Sequence, residues 1–320
     1  MKESKGMQEL PPNTVYTGDC REVLKGFPDE SIAGCITDPP YNYEFIGRDW
    51  DLAEVNRRVQ RVQESSTLVK NIPYGSGLAG GVRNKRWYER NRQNVLDYQG
   101  WCLEWGTELY RVCKSGAPVA VFSSTRTLAH VQVALEEAGF YARDCIVYRR
   151  HSGIPKGLNV EKKLQKLGDT TSENWAGWHS CFRGEWEAVV LLQKPLINNY
   201  IETLKKTGVG LFKTINSDGS FQSNILEGFG REANEETFEH CTVKPLSLIQ
   251  KLIEMLIPPC FDNIVLDPFA GTGTTLVAAA TLGLPYIGIE MQEEYVQICR
   301  RRLETCRNSK NSALQMQLSL

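Results

Sequence analysis

The chain has 320 residues, of which 41% are hydrophobic and 23% are charged, as is usual for a globular protein of one large or two modest domains. Its net charge is -1, and because proteins that grip nucleic acid over a long track are usually more basic, any nucleic-acid surface must be local. Ten cysteines without a C-x-x-C pair and four scattered histidines predict reduced thiols and no metal site. No apolar run approaches the ~20 residues that cross a bilayer, and no signal peptide is apparent, so we expect a cytoplasmic protein without a membrane partner.

The first forty residues predict a strand, a turn, a short helix and a second strand. Residues 21–27 have helical character, and a short apolar run follows at 32–37. That run ends at Asp38-Pro39-Pro40-Tyr41. An apolar run before a proline pair fits a buried parallel strand whose carboxyl end opens into a loop.

The segment 43–100 is different, because it is polar, rich in arginine and asparagine, and without strong periodicity. A segment of this length is either a functional loop region or a mobile one, and we treat it as an insertion after the tetrapeptide. Basic and aromatic residues interleave between Arg83 and Arg92, which favours contact with nucleic-acid phosphates. A solvated helix face is the alternative, because acidic residues dilute the charge.

Helices and strands alternate through the rest of the chain. The pattern predicts helices at 101–111 and 127–138 and strands at 117–122, 144–148 and 187–192. Such a rhythm is typical of a parallel sheet covered by helices. After an irregular stretch at 197–239, the last part predicts helix 245–257, strand 263–266, a glycine loop, helix 274–282, strand 286–289, helix 293–305 and a flexible tail at 308–320.

The glycine loop, Asp267-Pro268-Phe269-Ala270-Gly271-Thr272-Gly273, lies between a predicted strand and a predicted helix. Glycines in such a turn let the backbone approach a ligand, and the helix amino terminus offers free N–H groups. Glu290 ends the next strand, where a carboxylate is placed to accept both hydroxyls of a ribose. The alternative is a tight structural turn with a surface glutamate.

The tetrapeptide combines a carboxylate, a rigid carbonyl and an aromatic ring. Its prolines remove two N–H donors and fix two φ angles, which holds the neighbouring carbonyls in place. Asp38 and the Pro39 carbonyl then form an acceptor pair for a flat amino group, and Tyr41 is suited to stack on a base turned out of a duplex. Two acceptors would localise the lone pair of an exocyclic amino nitrogen. The alternative is a proline-capped turn with a solvated aspartate.

Together the two motifs resemble those of the DNA amino-methyltransferases, the adenine-N6 and cytosine-N4 enzymes, and their order resembles that of the permuted beta group. Similar stretches are Tyr16-Thr17-Gly18-Asp19-Cys20, Thr242-Val243-Lys244-Pro245-Leu246 and Tyr286-Ile287-Gly288-Ile289-Glu290. Trp50-Asp51 and the segment 153–160 resemble a subgroup common in phages and prophages, from which the stretch before Glu187 departs. The resemblance implies a single α/β domain over 1–320 with a Rossmann-like methyltransferase fold. We expect a mostly parallel seven-stranded sheet with one antiparallel strand and helices on both faces.

The resemblance also implies S-adenosylmethionine as the methyl donor. It assigns catalysis to Asp38, Pro39, Pro40 and Tyr41. It assigns cofactor binding to four segments of the chain, through Asp19, Cys20, Lys244, Asp267, Pro268, Phe269, Gly271, Gly273 and Glu290. Residues 197–240 lie where the family usually keeps its target-recognition region.

The substrate that the resemblance implies is double-stranded DNA, with methyl transfer to N6 of a flipped adenine. Adenine is favoured because the tetrapeptide begins with Asp38 rather than the serine common in the cytosine-N4 branch. A cytosine-N4 DNA enzyme is the alternative, followed by an RNA or protein-amide methyltransferase. A degenerate homologue that binds DNA or cofactor without transferring methyl also stays open, as does the oligomeric state, a homodimer included.

Overall fold

The computed structural model describes residues 10–41, 85–150, 157–230, 243–259 and 262–318, with side chains from 85–91 and 309–318 excepted. Most of the predicted insertion, the Trp50-Asp51 pair and half of the segment 153–160 therefore lie outside the described residues. None of the helices within these ranges is long and apolar enough to span a membrane.

Within the described ranges, eight strands form one sheet. They are β1 (Thr14–Thr17), β2 (Gly34–Thr37), β3 (Pro118–Ser123), β4 (Tyr141–Arg149), β5 (Trp186–Gln193), β6 (Ile225–Leu226), β7 (Val265–Asp267) and β8 (Tyr286–Glu290). Their order across the sheet is β1-β8-β7-β2-β3-β5-β4-β6. Among these eight described strands, only β5 runs antiparallel to its neighbours, which confirms the mostly parallel sheet with one antiparallel strand. The strand beyond the expected seven is the two-residue β6.

The helices in the same ranges are α1 (Cys20–Val23), α2 (Lys85–Val112), α3 (Leu128–Glu137), α4 (Val160–Lys166), α5 (Tyr200–Thr207), α6 (Leu246–Leu256), α7 (Thr274–Thr281) and α8 (Glu293–Leu318). Short 3-10 helices span Leu24–Gly26 and Ser172–Trp175. Two helices extend beyond their predicted bounds. Helix α2 begins inside the segment predicted as an insertion, and α8 continues through most of the segment predicted as a flexible tail.

Helix α5 corrects the prediction that residues 197–239 are irregular. Asn199 caps its amino end by accepting a hydrogen bond from Glu202 N at 2.9 Å. Gly208 ends it in the left-handed conformation, with φ of 76°. Both capping signals are present in the sequence, but the helix has only eight residues. Such a short run shows too little periodicity to be recognised.

Two apolar clusters pack on the two faces of the sheet. Alternating side chains of one strand point to opposite faces, so Ala120 and Phe122 join the cluster that includes α6, α7 and α8. Val119 and Val121 join the cluster that includes α1, α2 and α3. Helices therefore cover both faces, as predicted. Each face buries large side chains, among them Trp105 and Leu109 on one and Leu248, Leu252 and Leu276 on the other.

The sheet is extended in opposite directions from the neighbouring strands β2 and β7. From β2 the sheet continues through β3 on one side, and from β7 it continues through β8 and β1 on the other. In open α/β sheets, the crevice outside the carboxyl ends of the strands at such a reversal is the usual ligand site. The fold thus places a crevice between the tetrapeptide, which follows β2, and the glycine turn, which follows β7.

Candidate active site

The tetrapeptide and the glycine turn lie side by side. Strands β2 and β7 are paired through Gly34 with Val265 and Cys35 with Leu266. At their carboxyl ends, Thr37 Oγ1 donates a hydrogen bond to Asp267 Oδ1 at 2.7 Å, across 230 positions of sequence. The two stretches that the sequence predicts to form one site are therefore joined directly.

Asp267 organises the start of the glycine turn. Its carboxylate is buried and accepts hydrogen bonds from Thr37 Oγ1 and from Phe269 N, the latter at 3.0 Å. Burial raises the pKa of Asp267 to about 6, against the opposing effect of these hydrogen bonds. These hydrogen bonds hold the glycine turn against β2. The predicted contact of Asp267 with a cofactor stays a prediction.

The turn itself requires glycine. Gly271 and Gly273 have φ of 51° and 85°, in the left-handed region that side chains disfavour. A Cβ on Gly273 would also clash with Cys299 Sγ of α8. Gly271 N donates to Glu290 Oε2 at 2.8 Å, and Gln292 N donates to Glu290 Oε1 at 2.9 Å. These bonds fix the Glu290 carboxylate beside the turn.

Glu290 ends β8 next to the end of β1. Thr17 is its partner in the parallel pair, and Gly18 N donates to Glu290 O at 2.9 Å. Burial raises the pKa of Glu290 above its ordinary value. Asp19 follows closely, but its carboxylate caps α1 and forms an ion pair with Arg21 Nη2 at 2.6 Å. That hydrogen-bonded arginine lowers the pKa of Asp19.

The remaining predicted cofactor residues of these segments are buried or partly buried. Cys20 is buried at the start of α1, and burial raises the pKa of its thiol. Pro268 is buried as well. The Phe269 ring packs against Trp101 and Trp105 of α2, with ring centroids 5.3 Å and 5.5 Å away. Helix α2 thus supports the turn from one face of the sheet.

The two carboxylate oxygens of Asp38, in the tetrapeptide, differ in their contacts with the described residues. Asp38 Oδ2 lies 2.7 Å from Lys244 Nζ, whereas Asp38 Oδ1 is buried and has no hydrogen-bond partner among the described residues. Pro39 is buried and Pro40 partly buried. Lys244 Nζ donates to the Tyr41 hydroxyl at 3.1 Å. Burial, then the charges of Asp38 and Glu187, raise the pKa of Tyr41 well above its ordinary value, so the phenol stays neutral.

Lys244, which the resemblance assigns to cofactor binding, lies at the tetrapeptide, beside Asp38. Its ammonium lies between Asp38 and Glu187, and the contact with Glu187 Oε2, at 3.1 Å, is an ion pair outside hydrogen-bond geometry. Glu187 Oε1 in turn lies 2.9 Å from Arg150 Nη1. Sequence reasoning missed Arg150 and Thr37 and left Glu187 without a role. The available signal was that each is a polar residue at an end of an apolar strand.

Comparison with known proteins bears on this geometry. A family model described as DNA methylase matches residues 32–301. The Type II methyltransferase M.HindIII of Haemophilus influenzae is 30% identical over 311 residues, covering 92% of this chain and 96% of that protein. The Type II methyltransferase M.HinfI of the same species is 26% identical, covering 93% and 70%.

Solved structures share the fold. The M1.HpyAVI–SAM complex superimposes with a TM-score of 0.53 at 20% identity, covering 91% of this chain and 98% of that one. The PvuII DNA methyltransferase (cytosine-N4-specific) gives a TM-score of 0.55 at 16% identity, covering 95% and 93%. With the tetrapeptide ahead of the glycine turn along the chain, the protein belongs to the DNA methylase family, the S-adenosylmethionine-dependent amino-methyltransferases of DNA, in their beta group.

Proposed function

We propose that the protein transfers a methyl group from S-adenosylmethionine to the N6 amino group of an adenine flipped out of double-stranded DNA. One observation carries the proposal. Asp38 presents a buried Oδ1 that lacks a partner among the described residues, and its strand is tied to the glycine turn through Thr37 and Asp267. A buried acceptor without a donor is costly unless a ligand supplies one.

The residues of the crevice fit S-adenosylmethionine. Glu290 is fixed at the end of β8, and each of its oxygens accepts one backbone N–H, which leaves lone pairs for ribose hydroxyls. The left-handed backbone at Gly271 and Gly273 brings the main chain close to the crevice without intervening side chains. Asp19 lies beside Glu290 at the end of the neighbouring strand. The site therefore offers acceptors for a nucleoside beside an orphaned acceptor for a base.

The chain's own residues orient the amino group. When bound, S-adenosylmethionine supplies an activated electrophilic methyl group. Asp38 Oδ1 accepts one amino hydrogen and the Pro39 carbonyl accepts the other, which directs the nitrogen lone pair away from both. Tyr41 stacks on the flipped base. The product amino group releases one proton at Asp38 Oδ1 or to solvent. Positioning supplies most of the acceleration.

Adenine is preferred to cytosine because Asp38 begins the tetrapeptide. The cytosine-N4 alternative has support of its own, since the chain is 24% identical to the Type II methyltransferase M.PvuII of Proteus hauseri over 88% of its length. The PvuII enzyme is described as cytosine-N4-specific. Both reactions need the same pair of acceptors, so the base must be decided by product analysis.

Residues 197–240 serve as the target-recognition region in this proposal. Its described part, 197–230, exposes Ile215 and Phe221, the latter with 79% of its surface accessible. Lys205 and Lys206 lie on α5 in the same part. Exposed apolar and basic side chains together suit a surface that contacts bases and phosphates.

Product analysis tests the proposal. The purified chain is incubated with methyl-labelled S-adenosylmethionine and, separately, unmethylated genomic DNA, total RNA or a protein mixture, and each product is hydrolysed and identified. We expect N6-methyladenine from DNA. Label in N4-methylcytosine would replace the base, label in RNA or protein would replace the substrate, and no label in any sample would favour a degenerate homologue.

Replacing Asp38 gives a residue-specific prediction. Because Asp38 holds the amino group in this proposal, whereas the glycine turn and Glu290 bind the cofactor, Asp38→Ala should lower the methyl-transfer rate by roughly 1,000-fold. The dissociation constant for S-adenosylmethionine, measured by calorimetry, should change by less than about threefold. Asp29→Ala, which replaces an aspartate with 71% of its side chain exposed, is the control and should retain transfer. Loss of cofactor binding in Asp38→Ala would show that the tetrapeptide is misassigned.

A further inference from the structure

Four charged side chains form a line that ends at the catalytic carboxylate. Asp38 Oδ2 lies 2.7 Å from Lys244 Nζ, which lies 3.1 Å from Glu187 Oε2, and Glu187 Oε1 lies 2.9 Å from Arg150 Nη1. The four come from the loop after β2, the segment before α6, the start of β5 and the end of β4. They meet because β5 is antiparallel to its neighbours, so that its amino end lies at the edge where the parallel strands have their carboxyl ends.

Three of these four side chains are largely shielded from solvent. The side chains of Lys244, Glu187 and Asp38 expose 11%, 16% and 20% of their surface. Buried charges persist only when they are paired, and here two carboxylates alternate with two cations. Burial opposes the charged form of Lys244, but Asp38 and Glu187 outweigh it and raise the pKa of Lys244 above its ordinary value. The ammonium therefore stays protonated between its two carboxylates.

The surroundings of Lys244 restrict where its ammonium can lie. Nζ is 4.9 Å from the centroid of the Phe122 ring and 5.3 Å from that of the Tyr41 ring, and it donates to the Tyr41 hydroxyl. These contacts restrict the position of the Lys244 ammonium, so the ammonium in turn restricts the groups that it binds. Because it binds Oδ2 of Asp38, it fixes the plane of that carboxylate and leaves Oδ1 as the available acceptor.

We propose that Lys244 is a positioning residue for Asp38 and is not a ligand of the methyl donor. It is held by Glu187, which is itself paired with Arg150. Lys244 holds Oδ2 of the Asp38 carboxylate and thereby aims Oδ1 at the amino group of the base. Glu187 holds Lys244 through the second ion pair, at 3.1 Å. The inference rests on the proposed function, because it specifies how the acceptor at that same site is set.

The variant Lys244→Gln tests this role, since glutamine keeps a hydrogen-bond donor but removes the charge. Lys194→Gln is the matched control. Lys194 has 10% of its side chain exposed and an ion pair with Glu30 at 2.7 Å, but it directly follows the carboxyl end of β5, at the opposite edge of the sheet from Glu187. We expect Lys244→Gln to lower kcat roughly 100-fold and to leave the calorimetric dissociation constant for S-adenosylmethionine within about threefold. Lys194→Gln should retain kcat while lowering Tm.

The pH profile separates positioning from mere packing. Among the described residues, the titratable groups that face Lys244 are Asp38 and Tyr41, in the loop after β2, and Glu187, on β5. Arg150, which follows β4, faces Glu187. Asp38 is also coupled electrostatically to Asp267 and Tyr98. Without the cation, two neighbouring carboxylates share a proton more readily. The kcat of Lys244→Gln should therefore fall on the acid side of neutrality, where the wild-type and Lys194→Gln profiles stay flat.

Three results would overturn the inference. One is a cofactor dissociation constant raised more than about tenfold with kcat retained at saturation, which would make Lys244 a cofactor ligand. Another is an unchanged kcat and pH profile. If Lys244→Gln does not fold, Glu187→Gln decides, with an expected kcat loss of roughly threefold to tenfold and unchanged cofactor affinity, and no loss would count against the proposal. Failure of the wild-type chain to methylate DNA would instead overturn the proposed function, whereas the cofactor-binding comparison would still stand.

Discussion

Asp267 illustrates how one residue links the two halves of the site. Its carboxylate receives the Thr37 hydroxyl from β2 and the Phe269 amide from its own turn. Burial nevertheless raises its pKa to about 6, so the ionised form is less favourable in the folded protein than in the unfolded chain. The contact that joins the motifs therefore depends on pH in a predictable direction.

The variant Asp267→Asn measures that dependence. The pKa of Asp267 is about 6 in the folded protein against an ordinary value of 3.8, so the folded state holds a proton that the unfolded chain releases between these values. This group accordingly makes the free energy of unfolding fall as pH rises, by about 2 kcal/mol from pH 4.5 to 7.5. Asparagine removes the effect. In urea unfolding, the free energy of unfolding of the variant minus that of the wild type should rise as the pH is raised from about 4.5 to 7.5. A difference that does not change with pH would contradict the prediction.

The sequence identified the residues of the two motifs but not their partners. Asp38 and Gly273 stand in local patterns whose chemistry is visible without coordinates. The contacts of Lys244 with Glu187, and of Glu187 with Arg150, depend on which strands are neighbours and on the reversed direction of β5. No local pattern encodes that adjacency, so the resemblance of residues 242–246 assigns Lys244 to cofactor binding without showing its contact with Asp38.

Among the elements, the turn from β7 to α7 has the strictest demand on residue type. Gly273 has φ of 85° and its α carbon faces Cys299 of α8. Gly283 has a similar φ of 78°, but a Cβ there would meet open space. The two glycines therefore share the conformational requirement and differ only in packing.

This pair gives a prediction for the element. Both Gly273→Ala and Gly283→Ala should lose about 1–2 kcal/mol from the left-handed conformation. Gly273→Ala should lose a further 1–3 kcal/mol, roughly, because its methyl group displaces α8. The difference is measured by urea unfolding of both variants. Equal losses would mean that α8 gives way without cost and does not hold the turn.

Element boundaries were predicted best where an apolar stripe was present. Helix α6 and strand β8 agree with their predicted ranges to within a residue at each end. Helix α2 was recognised only in its later part, since the polar beginning from Lys85 shows no apolar period. Arginine, glutamine and glutamate favour helix almost as well as alanine, but propensity alone did not outweigh the missing pattern.

At the scale of the whole molecule, cofactor binding should raise stability by mass action. A ligand that binds only the folded state at 100 times its dissociation constant adds about 2.7 kcal/mol. S-adenosylhomocysteine at that excess should therefore raise Tm by about 5 °C, as measured by differential scanning fluorimetry. Glu290→Ala removes the fixed carboxylate and should show a clearly smaller shift at the same concentration. The absence of any shift in wild type would refute a nucleoside site in the crevice.

The order of strands in the sheet has a consequence for folding during translation. β1 and β2 are consecutive in the chain, yet β8 and β7 lie between them in the sheet. During synthesis β1 therefore cannot pair with its neighbour β8 until the last quarter of the chain has been made. The crevice is therefore assembled only at the end of translation, and a chain shortened from its carboxyl end loses the glycine turn and the anchorage of its opening strand together.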